Sequence, residues 1–189
     1  MKQKLAIFAS GAGSNAKKII EHFKNSPVAA VALVVCNKPH AGVLDIAAAA
    51  EIETALIERD QYKKDGYAQF LKEKGIDFVI LAGFLWKIPQ PLIDAFPRGI
   101  INIHPALLPK YGGKGMYGAF VHEAVIAAKD AVSGITIHYV DEHYDHGDVI
   151  FQATCDIAPG DTPDQLAEKV HQLEHEHFPR VIEQLLTGK

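Results

Sequence analysis

The chain has 189 residues, 48% hydrophobic and 22% charged, with a formal net charge of −4. This composition is ordinary for a globular protein, and the acidic balance disfavours a partner held through its phosphate backbone, so no nucleic acid is expected. No apolar run reaches the length of a bilayer span, and Met1-Lys2-Gln3-Lys4 leads straight into a strand rather than a secretory segment, so a single domain over 1–189, cytoplasmic and without a membrane partner, is expected.

Lys4 to Ala9 is a short apolar run that ends in Ser10-Gly11-Ala12-Gly13-Ser14-Asn15, and Ala16 to Phe23 then has helical spacing. Strand, glycine loop and helix open an α/β domain, and the alternation repeats. Val28 to Cys36 reads as a strand, Val43 to Ala50 as a helix, Thr54 to Ile57 as a strand, and Gln61 to Lys74 as a helix closed by Gly75. Phe78 to Ala82 is a fourth strand, Pro89 to Phe96 a short helix, Ile100 to His104 a fifth strand, and Tyr117 to Lys129 a helix entered through a glycine-rich loop. Val132 to Val140 and Val149 to Ile157 have no helix between them, which predicts antiparallel strands added at one sheet edge. A last helix starts with Thr162 as cap, Pro163 in the first helical position and Gln165 where a capping-box residue belongs. The expected fold is α/β and Rossmann-like, a mostly parallel twisted sheet with helices on both faces and an antiparallel C-terminal edge. Cys36 and Cys155 fall in strands without metal-type spacing and read as buried reduced thiols.

Asn102 and His104 are two apart on a strand, so their side chains leave one face and can converge on one oxygen. That pair suits acyl or formyl transfer as an oxyanion clamp. Forty residues on, Asp145-His146-Gly147-Asp148 follows Asp141-Glu142-His143 in what first reads as a polar hairpin loop. Folded back over the end of the fifth strand, one of its carboxylates would orient His104 and raise its proton affinity; spacing does not choose among Asp141, Asp145 and Asp148. The Ser10–Asn15 loop ahead of a helix makes a phosphate site. Its Gly11-x-Gly13-x-x-Ala16 pattern also admits a dinucleotide, but the second strand ends in Cys36-Asn37-Lys38, with no acid for a ribose hydroxyl. His171-Gln172-Leu173-Glu174-His175 matches a zinc-peptidase pattern, yet it lies on a helix whose stripe Leu166, Val170, Leu173, Val181, Leu185 reads as core. Glu174 is instead expected to face the cleft and hold a substrate amine. His22, His40, His122, His143 and His177 read as solvated or packing residues.

Ser10-Gly11-x-Gly13-Ser14-Asn15, Leu81-Ala82-Gly83-Phe84, Asn102-Ile103-His104-Pro105-Ala106-Leu107-Leu108-Pro109-Lys110, Asp145-x-Gly147 and Glu174-His175 occur in that order, and with them the chain resembles the folate-dependent phosphoribosylglycinamide formyltransferases of the formyltransferase family. The resemblance runs from the first strand to the last helix. It implies 10-formyltetrahydrofolate as co-substrate and glycinamide ribonucleotide as acceptor; the chemistry needs no metal, and a monomer or homodimer is expected. It also selects Asp145 as the catalytic carboxylate beside Asn102 and His104. The ribonucleotide phosphate would rest on Gly13, Ser14 and Asn15 and the glycinamide end near Glu174. The folate would lie along Leu85, Trp86, Lys87 and Ile88, with the pterin against Asp141 to Asp145, Asn102 beside it, and Lys64 near the tail. Three departures stand out: Leu85-Trp86-Lys87 where relatives often carry an arginine, a longer glycine-rich stretch from Tyr111 to Gly118 that reads as a lid, and Asp148 where a second glycine is usual.

The expected reaction passes through a tetrahedral intermediate held by Asn102 and protonated His104 with Asp145 in support. Three alternatives remain: another folate-dependent formyltransferase, a formyltetrahydrofolate hydrolase, or a noncatalytic phosphometabolite-binding module. Length argues against a transfer-RNA formyltransferase or a hydrolase with an appended domain.

Overall fold

The computed structural model describes residues 2–62 and 66–188. Seven strands form one sheet: β1 (Gln3–Ala9), β2 (Ala29–Cys36), β3 (Glu53–Leu56), β4 (Phe78–Leu81), β5 (Ile100–His104), β6 (Val132–Tyr139) and β7 (Val149–Asp156). Their order is β3-β2-β1-β4-β5-β6-β7. The pairs from β3 to β5 are parallel, and β6 and β7 add to that edge antiparallel, as expected. The helices are α1 (Ser14–Phe23), α2 (Gly42–Ala49), α3 (Arg59–Tyr62), α4 (Gly66–Glu73), α5 (Gln90–Ala95), α6 (Ala119–Ala127) and α7 (Pro163–Thr187).

Alternation along β1 shows how the sheet divides the core. Leu5, Ile7 and Ala9 pack into one buried cluster with Ile19 and Phe23 of α1, Val121 and Val125 of α6, and Leu166, Val170 and Phe178 of α7. Ala6 and Phe8 point the other way, into a second cluster with Tyr62, Tyr67, Leu71 and Leu92 of α3 to α5. A parallel sheet covered on both faces needs apolar residues at nearly every strand position, and β1 is buried from Leu5 to Ala9. The start of α7 is as expected: Thr162 Oγ1 accepts from the Gln165 N–H at 3.3 Å, and the Gln165 side chain returns to the Thr162 N–H at 2.9 Å.

The order of connection reverses between β1 and β4. From β1 the chain moves outward through β2 and β3, then crosses back to β4 and continues through β5. The loops leaving β1 and β4 therefore part in opposite directions and open a crevice at the carboxyl ends of the strands, where open α/β sheets bind ligands. Those two loops are tied together at its floor: the Ser10 N–H donates to the Gly83 carbonyl at 3.0 Å and the Leu85 N–H to Ser10 Oγ at 3.0 Å. Among the described residues, no helix is long and apolar enough to cross a membrane.

Candidate active site

β5 delivers Asn102 and His104 to the crevice. His104 is buried, and the segment after it is fastened by Thr136 of β6, whose hydroxyl donates to the Ala106 carbonyl at 2.7 Å and accepts from the Leu108 N–H at 3.0 Å. The β6–β7 connection then folds back over this strand end. Gly147 permits the fold, since a Cβ there would lie 1.9 Å from the Tyr139 carbonyl oxygen. Asp145 takes a left-handed conformation, φ 54°, which aspartate tolerates better than most residues.

Asp145 spans the expected pair. Oδ2 lies 3.6 Å from His104 Nδ1 and Oδ1 lies 3.5 Å from Asn102 Nδ2, so the three predicted catalytic side chains do converge. Asp141 and Asp148 do not reach His104: Asp141 is engaged with His146 at 2.9 Å, and Asp148 pairs with Arg98 at 2.9 Å. The Gly113 N–H also donates to Asp145 Oδ2 at 2.9 Å, so the glycine-rich stretch is docked on the site.

A fourth side chain completes the cluster and was missed in the sequence. His138 is buried on β6 directly opposite Asn102. Its Nδ1 lies 2.8 Å from the Tyr139 carbonyl, which can only accept, so Nδ1 carries the proton and Nε2 accepts from Asn102 Nδ2 at 3.2 Å. Nε2 is also 3.7 Å from Asp145 Oδ1. His138 thereby fixes which way the Asn102 amide faces. Once β5 and β6 are antiparallel neighbours, their register would have revealed it.

Burial pushes the Asp145 carboxyl up, but His138 and His104, in so far as each ring takes up a second proton, and the Gly113 N–H outweigh it and hold the group below the usual aspartate range. Asp145 is therefore an anion at neutral pH. His104 departs from expectation. Burial lowers its proton affinity, Asp145 and the Tyr111 carbonyl raise it, His138 lowers it again, and the net result lies below an ordinary histidine. The expected standing imidazolium is corrected accordingly: without substrate, desolvation exceeds the support of Asp145.

At the β1 end, Gly13 has φ 82°, and a Cβ there would approach Val43 to 2.8 Å, so both backbone and packing require glycine. Ser14 and Asn15 form the first turn of α1, two residues earlier than the spacing predicts, which leaves their N–H groups at a helix N-terminus. The Asn15 side chain turns away from that turn toward α7: Nδ2 donates to Glu174 Oε2 at 2.8 Å, and Oδ1 is buried without a partner. Burial raises the Glu174 carboxyl, with Asn15 and His171 opposing. His122 of α6 is also buried, with Nδ1 unpartnered; burial, then His171 and His104, press its pKa down to about 4.

On the other side of Asn102 and Asp145 a cleft opens between Phe84, Trp86, Lys87 and Ile88 on one wall and Val140, Asp141 and Tyr144 on the other. Tyr62, Phe84 and Trp86 pack ring to ring at 5.7 to 6.2 Å, which stiffens the first wall, and the Arg59 guanidinium lies 5.5 Å over Trp86 at the rim. Trp86, Lys87, Ile88, Asn102 and Asp141 are thus brought together as expected. Leu85 is not: its side chain is exposed and does not line the cleft, its backbone N–H being the group anchored to Ser10. Lys64 lies outside the described residues. A separate hollow beside Leu107, Tyr111 and Ser133 has its charges already paired, Lys110 and the Tyr111 hydroxyl both meeting Asp130.

His171 and His175 stack with ring centroids 6.3 Å apart, and Glu174 between them in sequence is taken by Asn15, so the zinc-peptidase pattern makes no shared centre. Among the described residues one group could hold a cation, Asp141 with His143 and His146, where no metal was expected.

Residues 3–182 match the formyl transferase family, and the chain belongs to that family. It is 41% identical over 96% of its length to the chloroplastic phosphoribosylglycinamide formyltransferase of Arabidopsis thaliana, but spans only 64% of that relative. It is 38% identical to the phosphoribosylglycinamide formyltransferase of Bacillus subtilis, covering 97% of this chain and 95% of that one. The crystal structure of phosphoribosylglycinamide formyltransferase from Bacillus halodurans superposes with a TM-score of 0.88 at 38% identity, covering 98% of this chain and 96% of the other.

Proposed function

We propose that this protein transfers the formyl group of 10-formyltetrahydrofolate to the amine of glycinamide ribonucleotide, a step of purine biosynthesis. The observation that carries the reading is the meeting of Asn102, His104 and Asp145 between two unlike sites. On one side is a helix terminus with Gly13, Ser14 and Asn15; on the other is an apolar, aromatic-walled cleft.

The cleft suits a flat heteroaromatic ring, with Phe84, Trp86 and Ile88 against one face and Asp141 and the 141–145 backbone at its polar edge. Lys87 and Arg59 at the rim suit the anionic tail of a folate. The free N–H groups of the first turn of α1 take the acceptor's phosphate. Glu174 and the unpartnered Asn15 Oδ1 are acceptors for the hydrogens of its glycinamide end.

The acceptor nitrogen attacks the formyl carbon, a C–N bond forms, and the carbonyl electron pair moves onto oxygen. The Asn102 amide hydrogen now turned to Asp145 and the His104 Nε2–H now held by the Tyr111 carbonyl swing to donate to that oxygen, and both contacts strengthen as its charge grows. The same charge draws a proton from solvent to His104, which Asp145 holds as an ion pair until collapse of the intermediate returns it to solvent. Collapse breaks the bond to the folate nitrogen, which takes the proton that the attacking amine gives up, relayed through Asp145.

The test is to incubate the protein with 10-formyltetrahydrofolate, with and without glycinamide ribonucleotide, and follow deformylated folate. Release that requires the amine and yields the formylated ribonucleotide is expected. Release at equal rate without the amine would mean a hydrolase, and binding of both ligands with no release would mean a noncatalytic module; either overturns the reading.

A further inference from the structure

We propose that Asp141, His143 and His146 form a surface site for one divalent transition cation of the zinc type, in the loop that edges the aromatic-walled cleft and apart from Asn102, His104 and Asp145. The three lie within the β6–β7 connection, and one ligand atom from each falls within 4.8 Å of the others. The centre of a triangle with that edge lies about 2.8 Å from each corner, so a contraction of about 0.7 Å per atom reaches the roughly 2.1 Å of zinc–nitrogen and zinc–oxygen bonds. Side-chain rotation supplies such a movement, because both imidazoles are largely in solvent, at 65% and 73% exposure.

The loop already holds these groups in a binding posture. Asp141 Oδ1 accepts the His143 backbone N–H at 2.8 Å, which closes a tight turn, and Oδ2 faces His146 Nδ1 at 2.9 Å. The two rings stand with centroids 5.4 Å apart. A cation takes the place of the hydrogen now shared between Asp141 and His146. The pattern i, i+2, i+5 matches neither helix nor strand and comes together only through this turn.

Donor chemistry sets the class of ligand. Two neutral imidazoles and one carboxylate suit zinc, nickel or copper, whereas magnesium and calcium require shells of oxygen. Three protein ligands at an exposed loop leave the remaining positions to water. Asp145 faces the other way, toward His104 and His138, and takes no part.

The experiment is equilibrium dialysis of the full chain against Zn2+ alone and Mg2+ alone, with His146→Ala, Asp141→Asn and His171→Ala variants. One Zn2+ per chain is expected, Mg2+ is not retained, and His146→Ala and Asp141→Asn each weaken Zn2+ by at least about tenfold while His171→Ala leaves it unchanged. As a second readout on the unaltered protein, Co2+ should broaden the ring-proton NMR signals of His143 and His146 before those of other histidines. Absence of Zn2+ binding, binding indifferent to His146→Ala and Asp141→Asn, binding lost instead in His171→Ala, or Co2+ broadening that begins at other histidines would overturn the proposal. Metal binding is read without substrate, so its outcome is independent of the formyl-transfer reading.

Discussion

The backbone carbonyl of Tyr111 lies 2.7 Å from Nε2 of His104. A carbonyl can only accept, so Nε2 carries a proton; burial lowers the ring's affinity for a second one, and in the neutral ring the Nδ1 lone pair faces the Asp145 carboxylate at 3.6 Å. Adding a second proton turns that unfavourable approach into an ion pair. The resting ring is thus neutral yet poised to take up charge, and the Tyr111 carbonyl occupies the donor that an oxyanion would use.

His138 should matter through Asn102 rather than through substrate. With Nε2 removed, the Asn102 amide loses the partner that fixes its orientation, and His138→Phe should lower kcat by roughly tenfold, less than the loss of about 3 kcal/mol typical for an oxyanion donor, which Asn102→Ala should approach. KM for both substrates should stay near normal. Steady-state kinetics check this, and a His138→Phe enzyme with unchanged kcat would remove the residue from the account.

His122 makes the fold acid-sensitive. Its folded pKa, about 4, lies below the unfolded value, so the unfolded chain binds the proton more readily and stability falls as pH drops from about 6.5 toward 4. The full loss is of order 3 kcal/mol. Urea unfolding at pH 7 and pH 5 should show a drop that is clearly smaller in His122→Leu; equal drops in both proteins would assign the acid sensitivity elsewhere.

Much of this architecture is legible from residue pattern. The β/α alternation, the capping box at Thr162 and Gln165, and the antiparallel edge all follow from local rules, and the two-residue spacing of Asn102 and His104 places both on one strand face. What sequence conceals is register and long-range closure. His138 joins the site because β5 pairs with β6 at one register, which hairpin geometry sets and composition does not. Asn15 turns to Glu174, 159 residues away, and no local pattern encodes that. His104 loses its expected charge because desolvation depends on the finished packing, and Asp141, His143 and His146 meet only through a turn. The resemblance implies Leu85 in the cleft, whereas this loop residue's backbone is anchored at Ser10 and its side chain is exposed.

Gly13 should tolerate no side chain. Gly13→Ala meets both the left-handed backbone and Val43 at 2.8 Å, so destabilisation of roughly 1–3 kcal/mol is expected, together with weaker ribonucleotide binding as the helix terminus shifts. Denaturation midpoints and titration calorimetry test both effects, and a neutral Gly13→Ala would show that the loop can relax away from α2.

The most direct test is single-turnover formyl transfer by Asp145→Asn at saturating concentrations of both substrates, with ribonucleotide affinity measured alongside. The amide keeps the shape but cannot hold a charged His104, so transfer should slow by a hundredfold or more, about 3 kcal/mol, while ribonucleotide Kd changes less than about twofold. Transfer near the normal rate would contradict the carboxylate-supported oxyanion site.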